Sequence, residues 1–152
     1  MCANIGAAVI TTASERNHEY VKSLGASYAI DYANEDVVAR IMEITKGRGV
    51  DRVLAAVDEA TADQGIEVLA FRGGLATVAG LPQLAESTFD NARSVHRIAY
   101  GGAHTSSNRE AQVDLALMAE EMIALVAEKT IDPMIEQVIG LDDIPEGLAQ
   151  LE

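Results

Sequence analysis

The chain has 152 residues, enough for one domain with a single core, and 49% of them are apolar. Aromatics make up only 4% and Trp is absent, so that core must come from Ala, Val, Ile and Leu. With 24 acidic against 11 basic residues the net charge is −13, which argues against nucleic acid and anionic membrane surfaces as partners.

The elements alternate from the start. Ala7 to Thr12 reads as a β-strand, and Glu15 to Leu24 as a helix with Tyr20, Val21 and Leu24 at helical spacing and Gly25 as its stop. A short strand, Ser27 to Ile30, follows. Asn34-Glu35-Asp36 then opens a helix whose apolar stripe is Val37, Val38, Ile41 and Ile44, and Lys46 to Gly49 ends it. Val50 to Val57 is the next strand. Ala60 to Phe71 is expected as a helix closed by Arg72-Gly73-Gly74, with a strand at Leu75 to Gly80. A further strand is expected at Arg97 to Gly101 and a long helix at Arg109 to Glu128. Glu136 to Leu141 is compatible with a last strand, and a final helix starts at Asp142-Asp143.

Strands alternating with helices predict βαβ units, right-handed crossovers and a parallel sheet. Several strands lack polar/apolar alternation, as in a sheet covered on both faces. The fold class is therefore α/β, a Rossmann-like doubly wound parallel sheet, with residues 1–152 as one partial domain. Cys2 is the only cysteine, so neither a disulfide framework nor a Cys-based metal site is available. His18, His96 and His104 have no companion at ligand spacing, and zinc is not expected in this chain. With no signal-peptide pattern and no apolar run of about 18 residues, a cytoplasmic location is expected.

The order of these pieces resembles the nucleotide-binding domain of the medium-chain dehydrogenase/reductase family, which includes zinc-dependent alcohol dehydrogenases and quinone oxidoreductases. The resemblance rests on Leu24-Gly25-Ala26, then Ile30-Asp31-Tyr32, then Gly47-Arg48-Gly49-Val50-Asp51, in succession. "LAFRGGLATVAGLP" and "VIGLDDIPEGLAQLE" resemble later segments of the same domain. In that family the domain begins with an earlier strand and a GxGxxG turn that holds the cofactor pyrophosphate at a helix N-terminus. Here "MCANIG" resembles the tail of the helix that would follow that turn, and no segment carries the glycine pattern. The first strand is central in the order 3-2-1-4-5-6. The expectation is thus an incomplete sheet with exposed edges on either side of the gap, met by dimerisation or by rewired strand pairing, the alternative being a poorly stable fragment.

The resemblance also implies cofactor contacts and a leaning toward NADP(H). Ser14 stands where NADP-binding members place a small hydroxyl residue, and is equally compatible with a helix N-cap. Arg16 is suited to a 2′-phosphate, or to an ordinary solvated position. Tyr32 matches a tyrosine near the adenosine phosphate. Val57 is a further candidate contact, in the "AAVDEA" stretch that the family places beside the adenine site. Val78, Ala79, Gly80 and Leu81 in "VAGLP" match the loop along the nicotinamide end; a plain strand-to-loop turn is the alternative. The sequence also departs from the family pattern. No Lys stands close to Asn17, Ala33 occupies a position that is often basic, and Glu15 beside Ser14 would repel a phosphate. Ala55 lies near a commonly acidic position and Asp58 near a commonly glycine one.

The implied function is the cofactor-binding domain of an NADP(H)-dependent oxidoreductase, transferring hydride between nicotinamide and an alcohol, aldehyde, ketone or quinone. Nothing in the chain resembles a general acid or an activated nucleophile. A small-molecule substrate would need a catalytic domain, and activity of this chain alone is not expected. The alternative is a non-enzymatic remnant that serves as an assembly or interaction module.

Overall fold

A computed structural model of the chain describes residues 2–83, 92–105, 107–135 and 137–150. Two units emerge, Met1–Thr105 and Ser106–Glu152.

The first unit opens with β1 (Ile10–Thr12), shorter than the expected Ala7 to Thr12. The reason lies in its partner. Ser27 and Tyr28 both donate their amides to the Val9 carbonyl, and upstream of Ser27 the chain has already turned away in a helix cap. Ala7 and Ala8 therefore have no strand beside them and are exposed. The next helix starts as a 3-10 turn, Glu15–Asn17, and continues as α1 (His18–Ser23). It ends in a Schellman pair: Gly25 N–H donates to Lys22 O and Ala26 N–H to Val21 O, with Gly25 at φ +100°. β2 (Tyr28–Ile30) follows and pairs in parallel with β1, Thr12 opposite Ile30.

α2 (Val37–Ile44) is capped by the Asp36 carboxylate, which accepts from Ala39 N–H at 3.0 Å. β3 (Val50–Ala55) leads through Asp58 into α3 (Glu59–Glu67). This helix stops four residues before the expected Phe71. Val50 N–H donates to Val68 O, and Leu69 pairs with Val50, so the sheet claims the chain at that point. β4 accordingly runs Leu69–Thr77 rather than starting at Leu75. Its register jumps from Val50 opposite Leu69 to Arg52 opposite Gly74, leaving Ala70 to Gly73 to bulge against the single residue Asp51. Arg72 sits in that bulge at φ +62°, so "RGG" re-aims a strand rather than closing a helix. β5 is Ser94–Arg97, earlier than the expected Arg97 to Gly101, with Ser94 opposite Gly74 and Arg97 opposite Thr77. A short α4 (Gly102–Thr105) ends the unit.

The strands form two parallel sheets, β1–β2 and β3–β4–β5. α3 packs on one face of the larger sheet around Ala55, Ala62, Leu69 and Leu75, with Val50, Val53, Ile66 and Val95 at the margin. The approach is close, because a Cβ on Gly65 of α3 would sit 2.9 Å from Val53 Cγ1. The architecture is the expected Rossmann-like α/β fold with an incomplete sheet.

In the second unit α5 (Arg109–Ala127) begins at an Asn108 cap and ends with Lys129 at φ +58°. α6 is Ile144–Ala149. Residues 137–140 form no strand, which corrects the reading of Glu136 to Leu141; Glu136 itself lies outside the described residues. An extended run needs a neighbouring strand to become a sheet element, and no described strand pairs with this one. No helix among the described residues is long and apolar enough to cross a membrane.

Candidate functional site

In an open parallel sheet, ligands bind outside the carboxyl ends of the strands, at the point where the winding reverses. Those ends gather the candidate residues in two groups.

The first group lies beyond β1 and β2. Ala13 N–H donates to Ile30 O at 3.0 Å, carrying the pairing one residue past β1 and placing Ser14 at the sheet's rim. Ser14 caps the following 3-10 turn only through its backbone, since Asn17 N–H donates to Ser14 O at 2.8 Å. Its hydroxyl makes no capping bond, so the side-chain N-cap alternative is not realised. Arg16 is exposed, and none of the ion pairs among the described residues involves it. His18 Nε2 donates to Ala13 O at 3.1 Å and ties α1 to the end of β1.

Tyr32, beyond β2, is 60% exposed. Its placement depends on Asp31, one of the few buried polar residues, to which the sequence reading assigned no role. The Asp31 carboxylate accepts from Asn34 Nδ2 at 2.6 Å and from Ala33 N–H at 3.0 Å, closing an Asx turn beneath Tyr32. These bonds, with a smaller contribution from His18, hold the Asp31 carboxyl below its ordinary pKa against the opposing effect of desolvation. Asp31 N–H in turn donates to Glu35 Oε1 at 2.8 Å, and Glu35 pairs with Arg40 of α2 at 3.6 Å. The spacing Asp31, Asn34, Glu35 was the available signal: short polar side chains three and four residues apart after a strand.

The second group lies beyond β3 and β4. Val78 N–H donates to Ala55 O at 2.9 Å, and after that bond the two strands diverge. Val57 is 73% exposed, while Val78 and Leu81 are each close to half exposed, so apolar side chains line this end. Ala79 is exposed as well. Gly80 is pressed onto the start of α3, where a Cβ would lie 2.7 Å from Glu59 N and 2.8 Å from Glu59 Cα. Thr77 Oγ1, fully buried, donates to Gly80 O, and Gln83 N–H reaches Asp63 Oδ1 at 2.7 Å. The loop from Val78 to Gln83 is thereby fastened along α3.

Asp58, flagged as a departure in sequence, is the α3 N-cap. Its carboxylate accepts from Thr61 N–H at 2.8 Å and from the Thr61 hydroxyl, while Thr61 Oγ1 accepts from Asp58 N–H, completing a capping box. Those bonds to Thr61 lower the Asp58 pKa. The N-terminus of α3 is thus occupied by a carboxylate of this chain and offers nothing to a phosphate.

Among the described residues no group of three or more His, Cys, Asp or Glu could hold a metal ion. The residues do fit one end of a phosphorylated nucleotide: an uncommitted hydroxyl, an unpaired guanidinium and an exposed phenol at neighbouring strand ends. They supply no glycine turn for a pyrophosphate.

Known proteins resemble the chain in sequence and in fold. A zinc-type alcohol dehydrogenase-like protein of Schizosaccharomyces pombe is 28% identical over 139 residues, covering 91% of this chain and 39% of that one. The quinone oxidoreductase of Pseudomonas syringae pv. tomato superposes with a TM-score of 0.76 at 25% identity, covering 99% of this chain and 47% of that one. The Escherichia coli quinone oxidoreductase, solved in complex with NADPH, gives a TM-score of 0.69 at 24% identity, over 88% of this chain and 42% of that one. The chain spans less than half the length of each of these relatives. The family model described as "Zinc-binding dehydrogenase" matches residues 1–128, and the chain belongs to that family, the medium-chain dehydrogenase/reductases.

Proposed function

We propose that residues 1–152 form the NADP(H)-binding part of a medium-chain oxidoreductase that moves hydride between nicotinamide and an alcohol, aldehyde, ketone or quinone. The observation that carries this reading is the trio at the ends of β1 and β2: Ser14 with its hydroxyl uncommitted, Arg16 without an ion pair, and Tyr32 exposed above the Asp31 turn. A planar guanidinium and two hydroxyls suit the 2′-phosphate that distinguishes NADP from NAD. When bound, the nicotinamide supplies the hydride chemistry. The protein's part is to bind and orient: Arg16 and Ser14 grip the adenosine end, and Val57, Val78 and Leu81 offer apolar contact toward the other end. The Gly80 loop, locked to α3, fixes where that contact is made.

Isothermal titration of the chain with NADPH and NADH tests this reading. NADPH binding at least about tenfold tighter than that of NADH is expected, weak in absolute terms because no glycine turn holds the pyrophosphate. Replacing Arg16 by Ala should remove that preference, weakening NADPH about 10- to 100-fold while leaving NADH nearly unchanged, as for loss of a charge-assisted hydrogen bond. Equal or absent binding of both would refute the reading and favour a non-enzymatic interaction module.

A further inference from the structure

The pairing of β1 with β2 ends at Ala13, and the way it ends involves a histidine. Ala13 N–H donates to Ile30 O at 3.0 Å. In a regular parallel ladder the Ala13 carbonyl would then accept from Tyr32 N–H, two residues beyond Ile30. The turn at Asp31 takes the chain elsewhere: the Asp31 carboxylate accepts from Ala33 N–H, and the Asp31 carbonyl from Asn34 and Glu35 N–H. No backbone amide among the described residues donates to Ala13 O, although Ala13 is buried. A side chain takes the place of that amide. His18 Nε2 lies 3.1 Å from Ala13 O, and because a carbonyl only accepts, that nitrogen carries the proton.

This bond closes the loop from Ala13 to His18, on which Ser14 and Arg16 stand. Little else fixes that loop. Neither the Ser14 nor the Asn17 side chain caps the 3-10 turn or α1. α1 itself has 6 residues, too short to hold a helix unaided. His18 also bears on the turn beneath Tyr32. After the bonds from Asn34 and Ala33, it helps to hold the Asp31 carboxyl below its ordinary range.

We infer that His18 is a positioning residue for the nucleotide site: its bond to the Ala13 carbonyl fixes Ser14 and Arg16 beside the end of β1, where a 2′-phosphate would be gripped, and so sets the preference for NADPH over NADH. The inference rests on the nucleotide reading above and adds to it a residue that acts without touching the ligand. Packing of α1 on the sheet is the competing account of His18, and the two make different demands. Packing asks for bulk at this position, whereas positioning asks for a donor at the place of Nε2. The Gln side-chain nitrogen is as many bonds from Cα as His Nε2 and can make the bond. The Asn nitrogen falls one bond short, and Leu keeps bulk without a donor.

The test titrates the full chain and its His18→Gln, His18→Leu and His18→Asn variants with NADPH and with NADH. The ratio of the two affinities is the readout, since a general loss of folded protein lowers both alike. The ratio should fall about fivefold or more for His18→Leu and His18→Asn, and stay within about twofold of the parent for His18→Gln. In an Arg16→Ala background, His18→Leu should change the ratio much less than it does in the parent, because the two act through one contact. A parent ratio retained by His18→Leu, a loss in His18→Gln as large as in His18→Leu, or full additivity with Arg16→Ala would overturn the inference and leave the nucleotide reading standing. A parent that binds neither nucleotide, or both equally, would overturn the reading and the inference together. A further measurement needs neither nucleotide nor variant. The two-bond nitrogen–proton spectrum of His18, recorded at alkaline pH where imidazole is neutral, should show the proton on Nε2, and a proton on Nδ1 would overturn the inference.

Discussion

Gly80 shows how a single hydrogen atom in place of a methyl group shapes the site. Its Cα lies against the backbone of Asp58 and Glu59, which cannot rotate aside as a side-chain tip can. Gly80→Ala should therefore shift the whole Val78 to Gln83 loop off α3. A loss of about 1–3 kcal/mol in urea unfolding is expected, the usual cost of overpacking against a fixed neighbour. Asp31 makes a different prediction. Its folded pKa is lowered, so its contribution to stability is complete above the ordinary carboxylate value near 4. The contribution disappears as pH falls from there through the lowered folded value. Stability measured between pH 7 and 3 should thus fall less steeply for Asp31→Asn than for the parent. Ser14, Arg16 and Tyr32 were legible in the sequence as strand-end residues because strand ends follow from hydrophobic runs and polar stops. The work done by Asp31 and Asp58 was not, because a carboxylate that closes a turn and one that meets a ligand have the same letter and the same kind of neighbours.

At the level of elements, the helices were read more surely than the strands. α2 and α5 carry polar caps, Asp36 and Asn108, whose side chains accept amides in the first turn, and such caps are local signals. β4 and β5 were misplaced because their limits are set by partners far away in sequence. Leu69 joins the sheet because Val50 is opposite, and Ser94 to Arg97 form a strand because Gly74 to Thr77 lie alongside. Their own sequences, "LAF" and "SVHR", are ambiguous between states. The contact of α3 with the sheet yields a prediction in which two effects compete. Gly65→Ala should gain about 1 kcal/mol of helix propensity. The new Cβ, however, would meet Val53 Cγ1 at 2.9 Å and Leu75 Cδ1 at 3.1 Å, the first on a stiff β-branched side chain and the second on a residue with no exposed surface. Overpacking of that kind costs about 1–3 kcal/mol. The net change should be destabilising, and a raised thermal midpoint for Gly65→Ala would show that α3 can lift off the sheet at little cost.

For the whole molecule, charge and topology act together. The division into β1–β2 and β3–β4–β5 matches the incomplete sheet that the family resemblance implied, with open edges on β1 and β3. Charge sets how an anionic nucleotide would approach. At about 0.01 M ionic strength the screening length is about 30 Å, wide enough for a ligand to feel the full −13 of the chain. At about 0.15 M it is about 8 Å, and the distant carboxylates are screened. A guanidinium in contact with a phosphate, about 4 Å away or less, keeps most of its attraction under both conditions. If Arg16 meets the 2′-phosphate as proposed, raising the salt removes more repulsion than attraction. The association rate of NADPH, measured by stopped flow, should therefore increase between these two ionic strengths. An ordinary basic phosphate site behaves in the opposite way, because there screening weakens a net attraction. A rate that falls with salt would mean that local cations outweigh the acidic surface, and would place the nucleotide among basic residues other than Arg16 alone.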